Sequence, residues 1–154
     1  MTSRAGKMGK SLKNGISPDD IYAAYGADTL RLYEMAMGPL DTDRPWRTND
    51  IVGVYRFLQR LWRNIIDEDS SALRLHDQPL DGETARLLHH TVKVVRRDLQ
   101  NLRFNTAITR LMELNTHAAK LATAAGGLPR GLAEPLVLMV ARSRRTSPKS
   151  SGRG

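Results

Sequence analysis

The chain has 154 residues, of which 40% are apolar and 5% aromatic, with no cysteine and a formal net charge of +8. This length supports one domain with a real core, and so few aromatics among so many aliphatics suit a helical bundle. A disulfide framework and a thiolate metal site are excluded, and no stretch approaches the ~18 uninterrupted apolar residues of a membrane span.

The charge is unevenly placed. Residues 1–13 carry +4 and residues 142–154 carry +5, which leaves −1 for everything between them. A nucleic-acid footprint on the middle of the chain must therefore come from local arrangement rather than bulk charge. Residues 1–13 are polar and basic without an apolar run, so no secretory leader is expected, and the absence of cysteine is compatible with a reducing cytoplasm. His76, His89, His90 and His117 have no metal-binding spacing, and no metal site is expected.

In chain order, the first feature is the cationic loop from Gly6 to Asn14, which contains Lys7, Met8, Gly9, Lys10 and Ser11. Glycines let backbone approach a ligand, lysine ammoniums act as mobile point charges and a serine hydroxyl can donate, so the loop suits an anion, and phosphate above all. A P-loop needs a glycine five positions before Gly9, where the chain has Arg4, and a strand feeding into it, so that pattern fails. Ser17-Pro18-Asp19-Asp20 then reads as a helix start, with the helix running to Tyr25 and stopping at Gly26. Asp28 and Thr29 open a second short helix, ended by Gly38-Pro39.

After a proline-bearing connection, Asn49 or Asp50 is expected to cap a long helix reaching about Asp67. Its stripe Ile51, Val54, Leu58, Leu61 and Ile65 is widened by Phe57 and Trp62. Arg56, Arg60 and Arg63 recur on another face at the same period, with Gln59 nearby. That face could run along a phosphate backbone, or it could simply be solvated. Residues 70–80 read as a loop. Asp81 starts the next long helix, with the seam Leu88, Val92, Val95, Leu99 and Leu102. Asn105-Thr106 reads as the cap of a helix with a broad apolar side, Gly126-Gly127-Leu128-Pro129 breaks it, and Leu132 to Ala141 begins a last apolar helix. Met112 and Met139 read as core filler. Successive helices joined by short loops predict an all-α antiparallel bundle behind a loop and a short helical hairpin.

Several of these segments resemble one family in the right order. Lys7-Met8-Gly9-Lys10-Ser11 resembles the Lys-Met-Ser-Lys-Ser loop of class I aminoacyl-tRNA synthetases, with Gly9 in place of the first serine. Asp19-Asp20-Ile21 and the run from Tyr25 to Arg31 look like the helical segment behind that loop in leucyl, valyl and isoleucyl enzymes. Gly38-Pro39-Leu40-Asp41 and Arg44-Pro45-Trp46 narrow the likeness to bacterial leucyl-tRNA synthetases. Arg56 to Trp62 resembles a segment at the start of their anticodon-binding helices, and Phe104 to Ile108 with Leu111-Met112-Glu113 is similar at the corresponding place.

The resemblance implies four regions. Residues 1–16 would be the signature loop at the end of a catalytic domain, residues 17–48 the hairpin and connection, residues 49–141 a truncated anticodon-binding bundle, and residues 142–154 a disordered basic tail. It further implies leucine–tRNA ligase activity in the whole protein, with ATP and Mg2+, leucine and tRNA(Leu), in the cytoplasm and without DNA or membrane partners. Lys10 would stabilise pyrophosphate, Lys7 and Ser11 would support the loop over ATP, and Arg56, Arg60 and Arg63 would face tRNA. The fragment alone is expected to be inactive. Two rivals are a free-standing basic helical RNA-binding module without catalysis and one subunit of a split enzyme.

The tail carries an expectation of its own. Leucyl enzymes typically continue this helix-to-loop segment as Pro-Leu-Ala-Pro-His-Ile-Ala-Glu-Glu-Leu-Trp, and one GC-rich encoding of it, read one base later, yields residues 142–152 in order. An out-of-frame origin is the expectation, and sequencing the locus tests it. A bundle cut at this point is expected to be marginal and to expose apolar surface.

Overall fold

A computed structural model describes residues 15–42 and 44–143 of the chain. Their order is α1 (Pro18–Tyr25), α2 (Ala27–Ala36), α3 (Thr48–Ile65), β1 (Leu75–His76), α4 (Gly82–Gln100), α5 (Phe104–Ala125), β2 (Leu128–Pro129) and α6 (Arg130–Ser143). The all-α expectation holds, with one minimal sheet added.

The hairpin forms where proline, two acids and a glycine predict it. Ser17 is extended, Pro18 opens α1, Asp19 and Asp20 sit in its first turn, and Gly26 ends it at φ 83°, although the Ser17 side chain makes no capping bond. Thr29, expected near the opening of α2, lies inside that helix and is buried, with its hydroxyl donating to the Tyr25 carbonyl at 2.7 Å. Tyr33 on α2 meets Trp46 edge-to-face, with centroids 5.0 Å apart, and donates its hydroxyl to the Arg47 carbonyl at 2.8 Å. These two contacts fold the connection back over the hairpin and set where α3 begins.

The centre of the molecule is α5, which packs against α2, α3, α4 and α6. Its Ala107, Ile108, Leu111, Leu114 and Ala118 are essentially without solvent contact. It starts one residue before the expected Asn105-Thr106 cap, because Phe104 is buried and carries the helix into the core. Thr106 does other work: its hydroxyl donates at 2.8 Å to the buried carboxylate of Asp98. Asp98 also takes the Arg97 guanidinium at 3.1 Å, and its carbonyl accepts from the Arg103 amide at 2.7 Å. Burial pushes the Asp98 carboxyl up, but the bonds from Thr106 and Arg97 and the nearby guanidinium charges outweigh it, so the group is held below its ordinary value. This cluster closes the tight α4–α5 turn, in which Leu102 adopts φ 56°.

Two buried asparagines join α3 to α5. Asn64 donates to the Asn115 side-chain oxygen at 3.1 Å, and Asn115 donates to the Phe57 carbonyl at 3.3 Å. Inside an apolar interface, such bonds tie one helix register to another, since any slip strands polar groups. The start of α4 is similarly fixed. Asp81 accepts the Thr84 amide at 2.8 Å and the Thr84 hydroxyl at 2.6 Å, which leaves that hydroxyl oxygen to receive the His117 ring N–H of α5 at 2.9 Å.

The predicted loop over residues 70–80 contains a device that the sequence reading missed. The Arg74 amide donates to the Ile65 carbonyl at 2.7 Å, and its carbonyl accepts from the Leu128 amide at 2.8 Å. β1 and β2 pair in parallel with Leu75 opposite Leu128. Gly126 turns the chain at φ 72°, and a side chain at position 127 would place its Cβ 2.6 Å from the Arg74 oxygen, so Gly127 allows the two segments to meet. α6 starts at once after β2, two residues before Leu132, and continues past Ala141. It is described as far as Ser143, which is buried and donates its hydroxyl to the Met139 carbonyl at 2.9 Å.

Candidate nucleic-acid interface

Of the predicted site residues, Lys7, Met8, Gly9, Lys10 and Ser11 lie outside the described residues. Arg56, Arg60 and Arg63 are all exposed on α3, and helical geometry of ~100° per residue gathers them within about 60° of arc. The flank of α3 that carries Val54, Phe57, Leu61 and Asn64, centred roughly 110° around the helix from the arginines, is buried against the bundle. The basic face is thus fixed in orientation by the packing beneath it. The three arginines are not equivalent. Arg63 is engaged by Glu68 at 3.0 Å, across the turn that ends α3, whereas Arg56 and Arg60 make no ion pair among the described residues. Spacing along a helix does not register the Glu68 partner, because it arrives from the following turn.

Trp62 departs from expectation. The apolar spacing assigns it to the buried stripe, yet it is 59% exposed. Ile51, eleven residues earlier and pointing in nearly the same direction, has no solvent contact. The hairpin explains the difference. It packs against α3 and reaches Tyr55, whose ring meets Tyr25 edge-to-face with centroids 5.5 Å apart. Trp62 lies two turns further on, where that cover has ended.

A second basic feature lies at the other end of α3. A cleft of about 370 Å³ is lined by Tyr33, Met37, Arg44, Arg47, Asp50 and Val54. Burial raises the Tyr33 hydroxyl above its ordinary value, with Asp50 adding to this and the Arg47 backbone bond opposing it, so the group is a neutral donor at physiological pH. Among the described residues, no three histidine or acidic side chains come together to hold a metal, and no helix is long and apolar enough to cross a membrane.

No family model matches the chain. The leucine–tRNA ligase of Frankia alni is 59% identical over 138 residues, which is 90% of this chain. That of Saccharopolyspora erythraea is 60% identical over 136 residues, or 88% of the chain, and that of Streptomyces coelicolor 58% over 139 residues, also 88%. The chain belongs to the leucyl-tRNA synthetase family. It spans 13–14% of the length of these relatives, so it corresponds to one segment of a leucyl-tRNA synthetase. Within that leucyl-tRNA synthetase segment, the outward face of α3 carries two guanidiniums without an ion pair among the described residues, together with an exposed aromatic ring.

Proposed function

We propose that this segment is the tRNA-holding helical part of a leucine–tRNA ligase, with the outward face of α3 lying against the tRNA backbone. The reading is carried by the 55–60% identity to leucine–tRNA ligases across 88–90% of the chain. It is supported by Arg56 and Arg60, which project from a helix whose other side is anchored in the core. Guanidiniums held this way meet phosphates without a further ordering cost on the backbone that carries them.

In the complete enzyme, leucine would be activated with ATP and Mg2+ and transferred to tRNA(Leu). Lys10 would stabilise the departing pyrophosphate, with Lys7, Met8, Gly9 and Ser11 forming the rest of the loop over the phosphates. A segment this short supplies no site for leucine, so the 154-residue chain alone should give no leucine-dependent ATP–pyrophosphate exchange. Detectable exchange would overturn that part of the reading.

The direct test is titration of a tRNA(Leu) transcript at several salt concentrations. Replacing Arg56 and Arg60 by glutamine should weaken binding and lower the slope of log K against log salt by roughly 0.7–0.9 per arginine. An unchanged slope would remove α3 from the interface.

A further inference from the structure

Resting on the assignment of α3 to RNA, we propose that Trp62 is a stacking platform for an unpaired base, so that this face takes single-stranded or looped RNA rather than a duplex. The Trp62 ring is the one large aromatic side chain on α3 that the structure leaves mostly open, at 59% exposure, whereas Phe57 is buried and Tyr55 is turned against Tyr25. An open indole presents a flat π-face on which a planar, apolar group can stack. An extruded base has that shape, and stacking is indifferent to base identity because every base has a π-face.

The charges around the ring set how a strand would lie. Gln59 stands about 60° around the helix from Trp62 and about 40° from Arg63, between the indole and the basic stripe, with donors and an acceptor for a base edge. Arg56 and Arg60 lie beyond it, free of carboxylates among the described residues. Past the C-terminal end of α3 the turn is acidic: Asp67 is engaged by the amide and hydroxyl of Ser70, Glu68 holds Arg63, and Asp69 is exposed. Phosphates are repelled from that turn and drawn toward Arg56 and Arg60. The backbone therefore crosses the helix on the arginine side, with a base turned in over Trp62. A duplex cannot do this, since its bases are already paired and stacked.

The test uses the 154-residue chain labelled with 5-fluorotryptophan. Its two tryptophans give separate fluorine signals, and Trp46, packed on Tyr33 and bonded to Thr48, is the internal control. Titration with a single-stranded RNA oligonucleotide and with a paired duplex of the same length should shift the Trp62 signal with the single strand only and leave Trp46 unmoved. Trp62→Leu should weaken single-strand binding by roughly tenfold or more without altering the salt slope, and Trp62→Phe should restore much of it. An unmoved Trp62 signal, equal binding of duplex and single strand, or full affinity in Trp62→Leu would overturn the platform. If Arg56→Gln with Arg60→Gln loses affinity while Trp62→Leu does not, the phosphate-holding reading stands and the stacking inference falls. If the arginine variant also binds as tightly as the parent chain, both fall. A Trp62 signal already shielded from a soluble paramagnetic agent before RNA is added would overturn the inference too, because the ring would then face protein.

Discussion

The outward faces of α3 and α6 make an instructive contrast. Both helices bury one side against α5, yet α3 turns Arg56, Arg60 and Arg63 outward, while α6 turns Val137 and Leu138 outward at 40% and 68% exposure. Beside α6, Val92, Leu99, Met139 and Arg142 line a groove of about 560 Å³ against α4. Apart from Trp62, the outer face of α3 is finished for water or for a polyanion, whereas that of α6 is not. The inner faces differ as well. α3 is keyed to α5 by the Asn64–Asn115–Phe57 bonds, while α6 meets α5 through Leu132, Leu136 and Val140 without such a polar key among the described residues. A helix can thus be well seated and still unfinished on its far side.

The contrast can be tested from the inside outward. Leu111→Ala in the shared core should cost about 2–5 kcal/mol and destabilise both halves together, as read by urea denaturation. Separate transitions for the α3 and α6 sides would show that the two halves do not share one core. Asn115→Ala leaves the Asn64 amide and the Phe57 carbonyl without their partner, and should cost about 1–3 kcal/mol. The same truncation at Leu136 tests whether α6, without a polar key, depends on apolar packing alone.

Acid should act on the α4–α5 turn. The bonds from Thr106 and Arg97 hold Asp98 below the ordinary carboxylate value, so its contribution is present above that value and is lost as pH falls through the lower folded one. Asp67 and Asp81 are lowered by their bonds to Ser70 and Thr84, and they push in the same direction. Asp98→Asn should flatten the acid limb of stability against pH and cost about 1–3 kcal/mol at neutral pH, because Arg97 loses its charged partner. An unchanged acid limb would assign it to other carboxylates. The smallest effect should come from Leu138→Lys, which stays within about 0.5 kcal/mol of the parent but reduces binding of a hydrophobic dye. Undiminished dye binding would place the open apolar surface elsewhere.

Much of this architecture was readable from local chemistry. Ser17-Pro18-Asp19-Asp20 and Asp81 marked helix starts because proline, acids and a capping carboxylate act on the nearest turn. The start of α5 was misread for the same reason in reverse. Asn105 and Thr106 look like a cap, but burial of Phe104 and the distant Asp98 gave Thr106 a different partner. The β1–β2 pair had no signature, since two residues have no periodicity. On the candidate site, helical spacing correctly gathered Arg56, Arg60 and Arg63, but it could not see Glu68 reaching Arg63, nor that the cover over Ile51 stops before Trp62. Periodicity specifies direction from the helix axis, whereas exposure depends on which neighbour lies there.

Arg74 has a consequence for hydrogen exchange. Its peptide bonds to Ile65 on one side and to Leu128 on the other, so one surface segment links the end of α3 to the lead-in of α6. Isotope uptake at the Arg74 and Leu128 amides should rise and fall together, and be slower than a two-residue ladder ordinarily permits, since Leu128 has no solvent contact. Loosening the last turn of α3 would then be felt at the first turn of α6, although the message travels through the smallest element of the molecule.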